Sequence, residues 1–429
     1  MYLSLSDWRS RRVEPGKGAA PPFKLAPVIL ALGVVSLLTD VSSESVASIL
    51  PLYVTASLGL STIAYGFVDG LYQGISATVR IAAGWTADRV GSQKWVAFAG
   101  YGLSAVARIA LLVADGFGSL ASVIAVDRFG KGIRTAPRDA LIRFAAQPEH
   151  IGRSFGVHRM LDTVGAALGP VLAFVILLAI PNGYRVVFIA SLAFAIIGVA
   201  VLGLFVPNER RRHPDTVPNT ARPSAAAQPG AAPQSRPRWR DVNTPEMRRL
   251  LLVAGVLGLL TVGDGFLYLV LQSRTAFAAE WFPLLYVGTN VAYLLLAIPM
   301  GRLADRWGRT RVFLAGHGAL LAAYVCAVLP WAGLPATVGT LVLLGVFYAA
   351  TDGVLAALAG LLSPHQSAAS GIAAAQTVVA VARLIASTGF GLLWYAMGSQ
   401  AALWLVAAGL ALALPFAVVL LRTAQKVTA

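Results

Sequence analysis

Charged residues are scarce in this sequence. Only 12% of its 429 residues are Asp, Glu, Lys or Arg, whereas 57% are hydrophobic. About a quarter of the residues in a soluble domain are charged, and no compact soluble fold hides this much apolar material. In a bilayer the surplus faces lipid, and backbone amides in lipid must bond within their own segment. The composition therefore excludes an ordinary soluble protein and predicts an all-α integral membrane protein.

Cysteine and histidine are also scarce, and each shortage excludes a class of site. The single cysteine, Cys326, lies in an apolar run, which excludes an intrachain disulfide framework. One cysteine and five scattered histidines have no metal-site spacing, so we expect no metal and no cofactor. The sequence also contains no HExxH, Walker loop or Gly-Lys-Ser/Thr. We therefore expect neither an enzyme nor an ATP-driven pump.

The apolar residues form about twelve runs of the ~20 residues that a membrane-spanning helix needs. In the first half they cover 26–56, 61–85, 95–114, 119–142, 154–180 and 184–206. In the second half they cover 248–272, 282–304, 311–330, 336–362, 368–395 and 399–421. The stretch 207–246, rich in Pro, Ala, Gln and Arg, is predicted to be a disordered linker between two six-helix bundles, 26–206 and 247–422. Residues 1–25 and 423–429 are predicted tails.

The net charge of +15 is distributed in short basic clusters between the apolar runs, which is not the pattern of a nucleic-acid surface. The clusters at 89–94, 143–153, 210–212, 302–311 and 422–426 fall on the same side as the N-terminal tail. By the positive-inside rule this side is cytoplasmic, so we expect a multi-pass protein of a bacterial-type inner membrane with both termini inside. The first run is too long for a signal-peptide core, so we expect it to be retained.

A repeated string links the two halves. Gly84-Trp-Thr-Ala-Asp88-Arg89-Val-Gly91 follows the second span, and Gly301-Arg-Leu-Ala-Asp305-Arg306-Trp-Gly308 follows the eighth. A shared GxxADRxG at matched positions indicates an internal duplication. Gly84 and Gly91 are predicted to permit a tight turn, and a carboxylate favours a helix N-terminus. A plain positive-inside loop with a capping Asp is the alternative, but it leaves the shared glycines unexplained.

These residues resemble the signature of the major facilitator superfamily, GxxxDRxG between spans two and three. The resemblance covers the spanning part of the chain and implies two pseudo-symmetric six-helix bundles that transport a solute by alternating access. It also implies that the loop is a cytoplasmic latch. The resemblance assigns this role to four residues, Asp88, Arg89, Asp305 and Arg306.

Two further patches resemble motifs of the proton-coupled drug antiporters in this superfamily. Arg128-Phe-Gly-Lys131-Gly132 resembles RxxQG, with Lys131 in place of glutamine. Gly165-Ala-Ala-Leu-Gly169-Pro170 resembles GxxxGP, without the glycine pair that follows in the family. Helix packing through small residues and a proline kink is an equally good explanation of the second patch.

Ionisable residues within the spans are the candidate functional groups, because each costs ~2.5–3.5 kcal/mol to bury. Asp40, Arg128, Lys131 and Asp162 fall near the midplane; Glu44, Asp69 and Arg108 lie nearer the outside; and Asp264, Asp352 and Arg383 are their counterparts in the second half. The costly charges are thus concentrated in the first half. Because transporter sites lie near the midplane, we expect the coupling chemistry there.

Asp40 and Glu44 are four residues apart, so they share one face of the first span. Two such close carboxylates cannot easily both be ionised, which suits a proton carrier. A structural ion pair of Asp40 with Arg128 or Lys131 is the alternative. The predicted proton-coupling residues are Asp40, Glu44, Arg128 and Asp162, and the predicted solute-binding residues are Asp69, Tyr72, Gln73, Arg108, Lys131, Asp264, Tyr268 and Asp352.

The function predicted from these features is proton-coupled efflux of a small organic solute, with Asp40 as proton carrier and Arg128 tuning its protonation. Proton-driven uptake of an anionic metabolite is the alternative suggested by the deep cations Arg128, Lys131 and Arg108. Export of a metal cation and a non-transporting membrane sensor are further possibilities. The expected partners are the solute, protons and lipid, and the expected state is a monomer.

Overall fold

The computed structural model describes residues 25–90, 92–147, 150–208, 243–329, 333–364 and 367–425. Within these ranges every regular element is a helix. The predicted linker and both predicted tails lie largely outside the described residues. The residue boundaries of the two bundles therefore stay a prediction.

Thirteen α-helices form twelve spans in the described residues. The first half contains α1 (Pro27–Leu52, extended by a π turn at Tyr53–Ser57), α2 (Thr62–Val90), α3 (Gln93–Leu111), α4 (Phe117–Ala145), α5 (Ile151–Ala179) and α6 (Tyr184–Phe205). The second contains α7 (Pro245–Leu259), α8 (Asp264–Thr275), α9 (Phe282–Trp307), α10 (Arg309–Val328), α11 (Leu334–Leu361), α12 (Ala368–Met397) and α13 (Ser399–Gln425). The prediction of an all-α, twelve-span membrane fold is confirmed.

Nine of these spans are long and apolar enough to cross a bilayer by composition alone, counting α7 with α8 as one span. The other three are α2, α3 and α4. Helix α4 is continuous but contains several charged residues, namely Asp127, Arg128, Lys131 and Arg134. A helix with so many ionisable groups can lie in a membrane only if neighbouring helices cover those groups. The polar interior of the first half is therefore built around α4.

The seventh span is broken, whereas the sequence predicts one continuous span over 248–272. Helix α7 ends at Leu259 and α8 begins at Asp264. The side chain of Tyr324 bridges the break: its hydroxyl accepts from the amide of Val262 at 2.8 Å and donates to the carbonyl of Leu260 at 3.0 Å. Backbone groups released within a membrane must find such partners. The break therefore exposes polar backbone within the protein interior, next to Asp264.

The two halves meet at the end of the helices predicted to face outward. Tyr65 of α2 packs edge-on against Phe266 of α8, with ring centroids 4.7 Å apart. The hydroxyl of Thr62 donates to the carbonyl of Gly391 at 3.0 Å. Helices α2 and α12 form the most extensive contact between the halves, while α1 packs mainly on α5 and α6, and α3 on α4. This packing leaves the charged faces of α1 and α4 directed at each other inside the first half.

One expectation about the repeated string is wrong. Gly84 lies inside α2, which continues to Val90, and its counterpart Gly301 likewise lies inside α9. The first glycine of each string therefore makes no turn. The last glycine makes it in the second half, since Gly308 separates α9 from α10 with φ +95°, a conformation that favours glycine. Gly91, its counterpart in the first half, lies outside the described residues.

The glycines of the GxxxGP-like patch lie at the crossing of α5 and α1. A Cβ at Gly169 would lie 2.7 Å from the amide nitrogen of Ser45 and 2.9 Å from Cβ of Glu44. A Cβ at Gly165 would overlap the backbone of Leu37. The absence of side chains at Gly165 and Gly169 thus lets the two backbones touch, as in other small-xxx-small contacts. This contact also fixes the helix segment that carries Glu44.

We predict that Gly169→Ala lowers the stability of the purified protein by ~1–3 kcal/mol, because a methyl group added to a tight contact forces the helices apart. Thermal unfolding in detergent measures this effect. Gly156→Ala is the matched control, since a Cβ at Gly156 of the same helix meets nothing within 4 Å. Equal melting temperatures for the two variants would contradict the packing role.

Candidate functional site

A buried ion cluster lies where α3 and α4 cross. The carboxylate of Asp127 accepts from Arg128 at 2.6 Å through Oδ2 and pairs with Arg108 at 3.3 Å through Oδ1. All three side chains are only 3% exposed. Arg108 also donates from Nε to the hydroxyl of Ser42 on α1 at 3.4 Å. One acid thus holds two guanidinium groups in the interior of the first half.

Asp127 is a residue that the sequence reasoning missed. Its neighbour Arg128 was singled out by depth, but adjacent residues on a helix point in different directions, so their contact is not expected from spacing. The signal that was available is a charge count, because three cations within seven residues of a span demand acidic partners. Arg128 is therefore engaged by Asp127, whereas the sequence predicts that it faces Asp40.

Arg128 also stacks on an aromatic ring. Its guanidinium lies 3.7 Å from the ring centroid of Tyr72 on α2, within the range of a cation–π interaction. The hydroxyl of Tyr72 donates to Glu44 Oε1 at 3.4 Å, and that of Ser43 donates to the same oxygen at 3.4 Å. Tyr72 therefore connects the buried cluster on α4 with the acidic face of α1.

Lys131 lies between the two acids of α1. Its Nζ is 3.7 Å from Glu44 Oε1 and 4.0 Å from Asp40 Oδ1. The side chains of Lys131, Glu44 and Asp40 are 30%, 27% and 13% exposed, respectively, so neighbouring residues cover them only in part. Arg134, which follows Lys131 by about one turn of α4, lies 4.0 Å from Asp40. A single lysine therefore serves two carboxylates.

A third carboxyl group comes from α5. The side chain of Asp162 lies within hydrogen-bonding reach of Asp40, and it pairs with Arg138 of α4 at 3.6 Å. The fold therefore brings together Asp40, Glu44 and Asp162, the three acids predicted to couple protons.

The remaining ionisable groups of this region lie toward the predicted cytoplasmic end. Arg138 donates to Asp139 at 2.9 Å and to the hydroxyl of Ser36 at 3.2 Å. His158 is buried, with Nε2 3.5 Å from the same hydroxyl. Arg138 thus holds Asp139 and Asp162 together, and Ser36 connects it to His158.

The second half contributes a separate polar group around the broken seventh span. Asp69 of α2 accepts a hydrogen bond from Ser387 of α12, which joins the halves. Asp264 accepts from the hydroxyl of Tyr348 at 2.7 Å, and the guanidinium of Arg383 lies 5.8 Å from the Tyr348 ring centroid. Asp69 thus belongs with second-half residues and not with the acids of α1.

The other predicted solute-binding residues are spread over different surroundings. Gln73 lies with Arg383 and Tyr348 around a small cavity beside the helix break. Tyr268 is fully buried, and its hydroxyl forms a 2.7 Å hydrogen bond with Thr289. Asp352 is exposed. Gln73 thus lines a cavity next to the junction of the two halves.

The repeated strings are only partly described. In the second half Asp305 is exposed and pairs with Arg309 at 3.4 Å, one turn along the chain, and Arg306 is exposed. In the first half the side chains of Asp88 and Arg89 lie outside the described residues. The latch assignment therefore stays a prediction.

The described residues contain no group of three or more His, Cys, Asp or Glu arranged to hold a metal ion. The described residues of the first half show ion pairs between carboxylates and basic groups.

Comparisons with known proteins give one family. The model of the Major Facilitator Superfamily matches residues 32–288 and 273–428. An uncharacterised MFS-type transporter of Methanocaldococcus jannaschii is 28% identical over 381 residues, covering 86% of this chain and 89% of the relative. An uncharacterised protein of Mycobacterium tuberculosis is 30% identical over 285 residues, covering 65% and 66%.

Solved structures share the fold. The nucleoside transporter NupG superposes with a TM-score of 0.76 at 15% identity, covering 92% of this chain and 99% of that chain. A bacterial homolog of the human lysosomal transporter Spinster, in an inward-facing and unoccupied conformation, superposes with a TM-score of 0.73 at 15% identity, covering 93% and 97%. At such identities the likeness concerns the fold alone.

We predict that Asp127→Asn destabilises the protein by ~3–5 kcal/mol, because the substitution leaves two buried guanidinium groups without a counter-charge. Asp115→Asn is the control: its pair with Arg185 is more than three-quarters exposed, so its loss should change little. Thermal unfolding of both purified variants measures the difference. A Asp127→Asn protein as stable as the Asp115→Asn protein would show that Asp127 is not the anchor of this cluster.

Proposed function

This chain belongs to the major facilitator superfamily and is a transporter of that type, and we propose that it exports a small organic solute in exchange for protons. The two bundles rock about a central site and open alternately to the two sides of the membrane. The sequence resemblance to the antiporter motifs supports the direction. The acids of the first half support the coupling to protons.

The observation that carries proton coupling is the sharing of Lys131 by Asp40 and Glu44, with Asp162 beside Asp40. When one acid gains a proton, Lys131 turns to the other, so a change of protonation moves a cation within the cavity. Because these side chains are partly exposed to the interior, water and a bound solute both reach them. A solute that draws Lys131 or one of the acids away from its partner changes the proton affinity of that acid. Solute binding and proton binding are then linked, as an exchanger requires.

The buried position of the arginines disfavours the alternative, uptake of an anionic metabolite. That function requires cations presented to the solute, but Arg108 and Arg128 are only 2% exposed and are engaged by Asp127. Lys131 is the partly exposed cation of the site, and two carboxylates already surround it. The local charge therefore suits a neutral or cationic solute better than an anion.

The remaining assignments form part of the same proposal. The protein acts as a monomer in a bacterial-type inner membrane, with both termini cytoplasmic, as the basic clusters indicate. Asp88, Arg89, Asp305 and Arg306 act as latches at the cytoplasmic end. The hydrogen bond between Ser387 and Asp69 lies toward the opposite, outward-facing end of the helices, where it holds the two halves together in the present conformation.

The test uses proteoliposomes and a ligand found by a thermal-shift screen of the purified protein, since a ligand that binds the folded state raises its stability. We predict that Asp40→Asn retains exchange of labelled for unlabelled solute but no longer accumulates solute in response to a pH gradient. Exchange needs no net proton movement, so it reports intact solute binding. Asp115→Asn is the control that retains both activities. An Asp40→Asn protein that still accumulates solute would contradict the proton role.

The direction of coupling is decided in the same vesicles. We predict that an acidic interior drives solute into the vesicles, because protons that leave in exchange move the solute inward. Accumulation driven by an acidic exterior would instead show symport. This measurement does not depend on the orientation in which the protein inserts.

A further inference from the structure

The guanidinium group of Arg383 lies beside the break in the seventh span and lacks hydrogen-bond acceptors. Arg383 is near the middle of α12, which runs from Ala368 to Met397. In the described part of the chain its Nε has no hydrogen-bond partner, and none of the ion pairs includes it. Its guanidinium instead lies over the ring of Tyr348 at 5.8 Å. A charged group at this depth is costly, which makes Arg383 a candidate functional residue.

The arginines of the first half show what a structural arginine looks like in this protein. Arg108 and Arg128 are 2% exposed and pair with Asp127 at 3.3 and 2.6 Å. They hold α3 and α4 together through a shared carboxylate. Arg383 is only partly buried and makes no such pair, so a role in holding helices together does not explain it.

The cavity that Arg383 lines is built from both halves of the protein. Gln73 comes from the first half, and Tyr348, Ser387 and residues 261–263 of the helix break come from the second. Transporter sites are expected at such an interface between repeats. In this conformation the cavity has room for one group about the size of a water molecule. One carbonyl oxygen of a solute fits there, whereas the whole solute requires the halves to separate.

Carboxylates already flank this cavity. Asp69 accepts a hydrogen bond from Ser387, which lines it, and Asp264 follows the lining residue Gly263 directly. Two acids thus bring negative charge near Arg383 without binding its N–H groups. The guanidinium therefore lacks acceptors and not counter-charge. An anionic group entering the cavity would be repelled by both acids, whereas a neutral acceptor would not.

From these observations we infer that Arg383 binds a neutral hydrogen-bond acceptor of the solute, an oxygen of the carbonyl or amide class. The inference rests on the proposed transport of a small organic solute, but it depends neither on proton coupling nor on direction. A water molecule that merely fills the cavity is the alternative occupant. In that case solute affinity would not depend on Arg383.

The first experiment uses phenylglyoxal, which modifies accessible arginine side chains, and mass spectrometry of the purified full-length protein to locate the modified residues. We expect reaction at Arg383 and none at Arg108 or Arg128. We also expect N-methylacetamide, a neutral amide, to slow the reaction at Arg383 more than an equal concentration of sodium acetate does. No reaction at Arg383 would overturn the inference of an open site, and stronger protection by acetate would overturn the assignment of a neutral acceptor.

The second experiment measures equilibrium binding of the labelled solute of the exchange assay. We expect Arg383→Gln to weaken binding about tenfold or more, because it removes hydrogen bonds donated by a charged group. Arg185→Gln is the control, since the Arg185 side chain is 76% exposed. Without solute, we expect both variants to melt at the same temperature. A loss of stability in Arg383→Gln as large as that in Arg128→Gln would show a structural role and overturn the inference.

Failure of this inference is distinguishable from failure of the proposed function. Normal solute affinity in Arg383→Gln would overturn the role of Arg383 and favour water, while exchange of solute for protons would still stand. An unmodified protein that binds solute through Arg383 but does not accumulate it in response to a pH gradient would instead contradict proton exchange alone.

Discussion

The cations of α4 set the constraint that the rest of the first half satisfies. Four basic side chains follow one stripe of a helix that crosses the membrane, and each needs a partner because unpaired charge in lipid is costly. Asp127 pairs with two guanidinium groups. The acids of α1 pair with Lys131 and Arg134, and Asp162 of α5 pairs with Arg138. The close crossing of α1 and α5 at Gly165 and Gly169 positions these acids. Packing and electrostatics thus specify the same arrangement.

This arrangement connects stability with transport. Asp127 and its arginines are buried and fully engaged, so they act as a fixed structural element. Asp40, Glu44 and Lys131 are looser, with contacts of 3.7–4.0 Å and partial exposure to the interior. Groups held this loosely change partners at little cost, which a rocking transporter requires of its coupling residues. The same helix therefore carries both the anchor and the exchangeable charge.

Much of the fold followed from the sequence, because apolar runs of membrane-spanning length are a strong signal. The break in the seventh span did not follow, since it depends on Tyr324, a residue more than sixty positions away. The acids at the site were found by their depth. Lys131 is one of the two partners that the sequence offers for Asp40, and the two side chains do lie together. The partners of Glu44 and Asp162 do not follow from the sequence, because spacing along one helix does not tell which neighbouring helix faces it. Asp127 was missed and Arg128 was directed to the wrong acid for this reason.

The central claim is that the acids beside Lys131 exchange a proton when solute binds. The most direct test is the proton release that follows addition of a screened ligand to purified protein in weakly buffered solution. We expect release from the unmodified protein and none from a protein carrying both Asp40→Asn and Asp162→Asn. Equal release from the two proteins, with ligand binding intact in both, would contradict it.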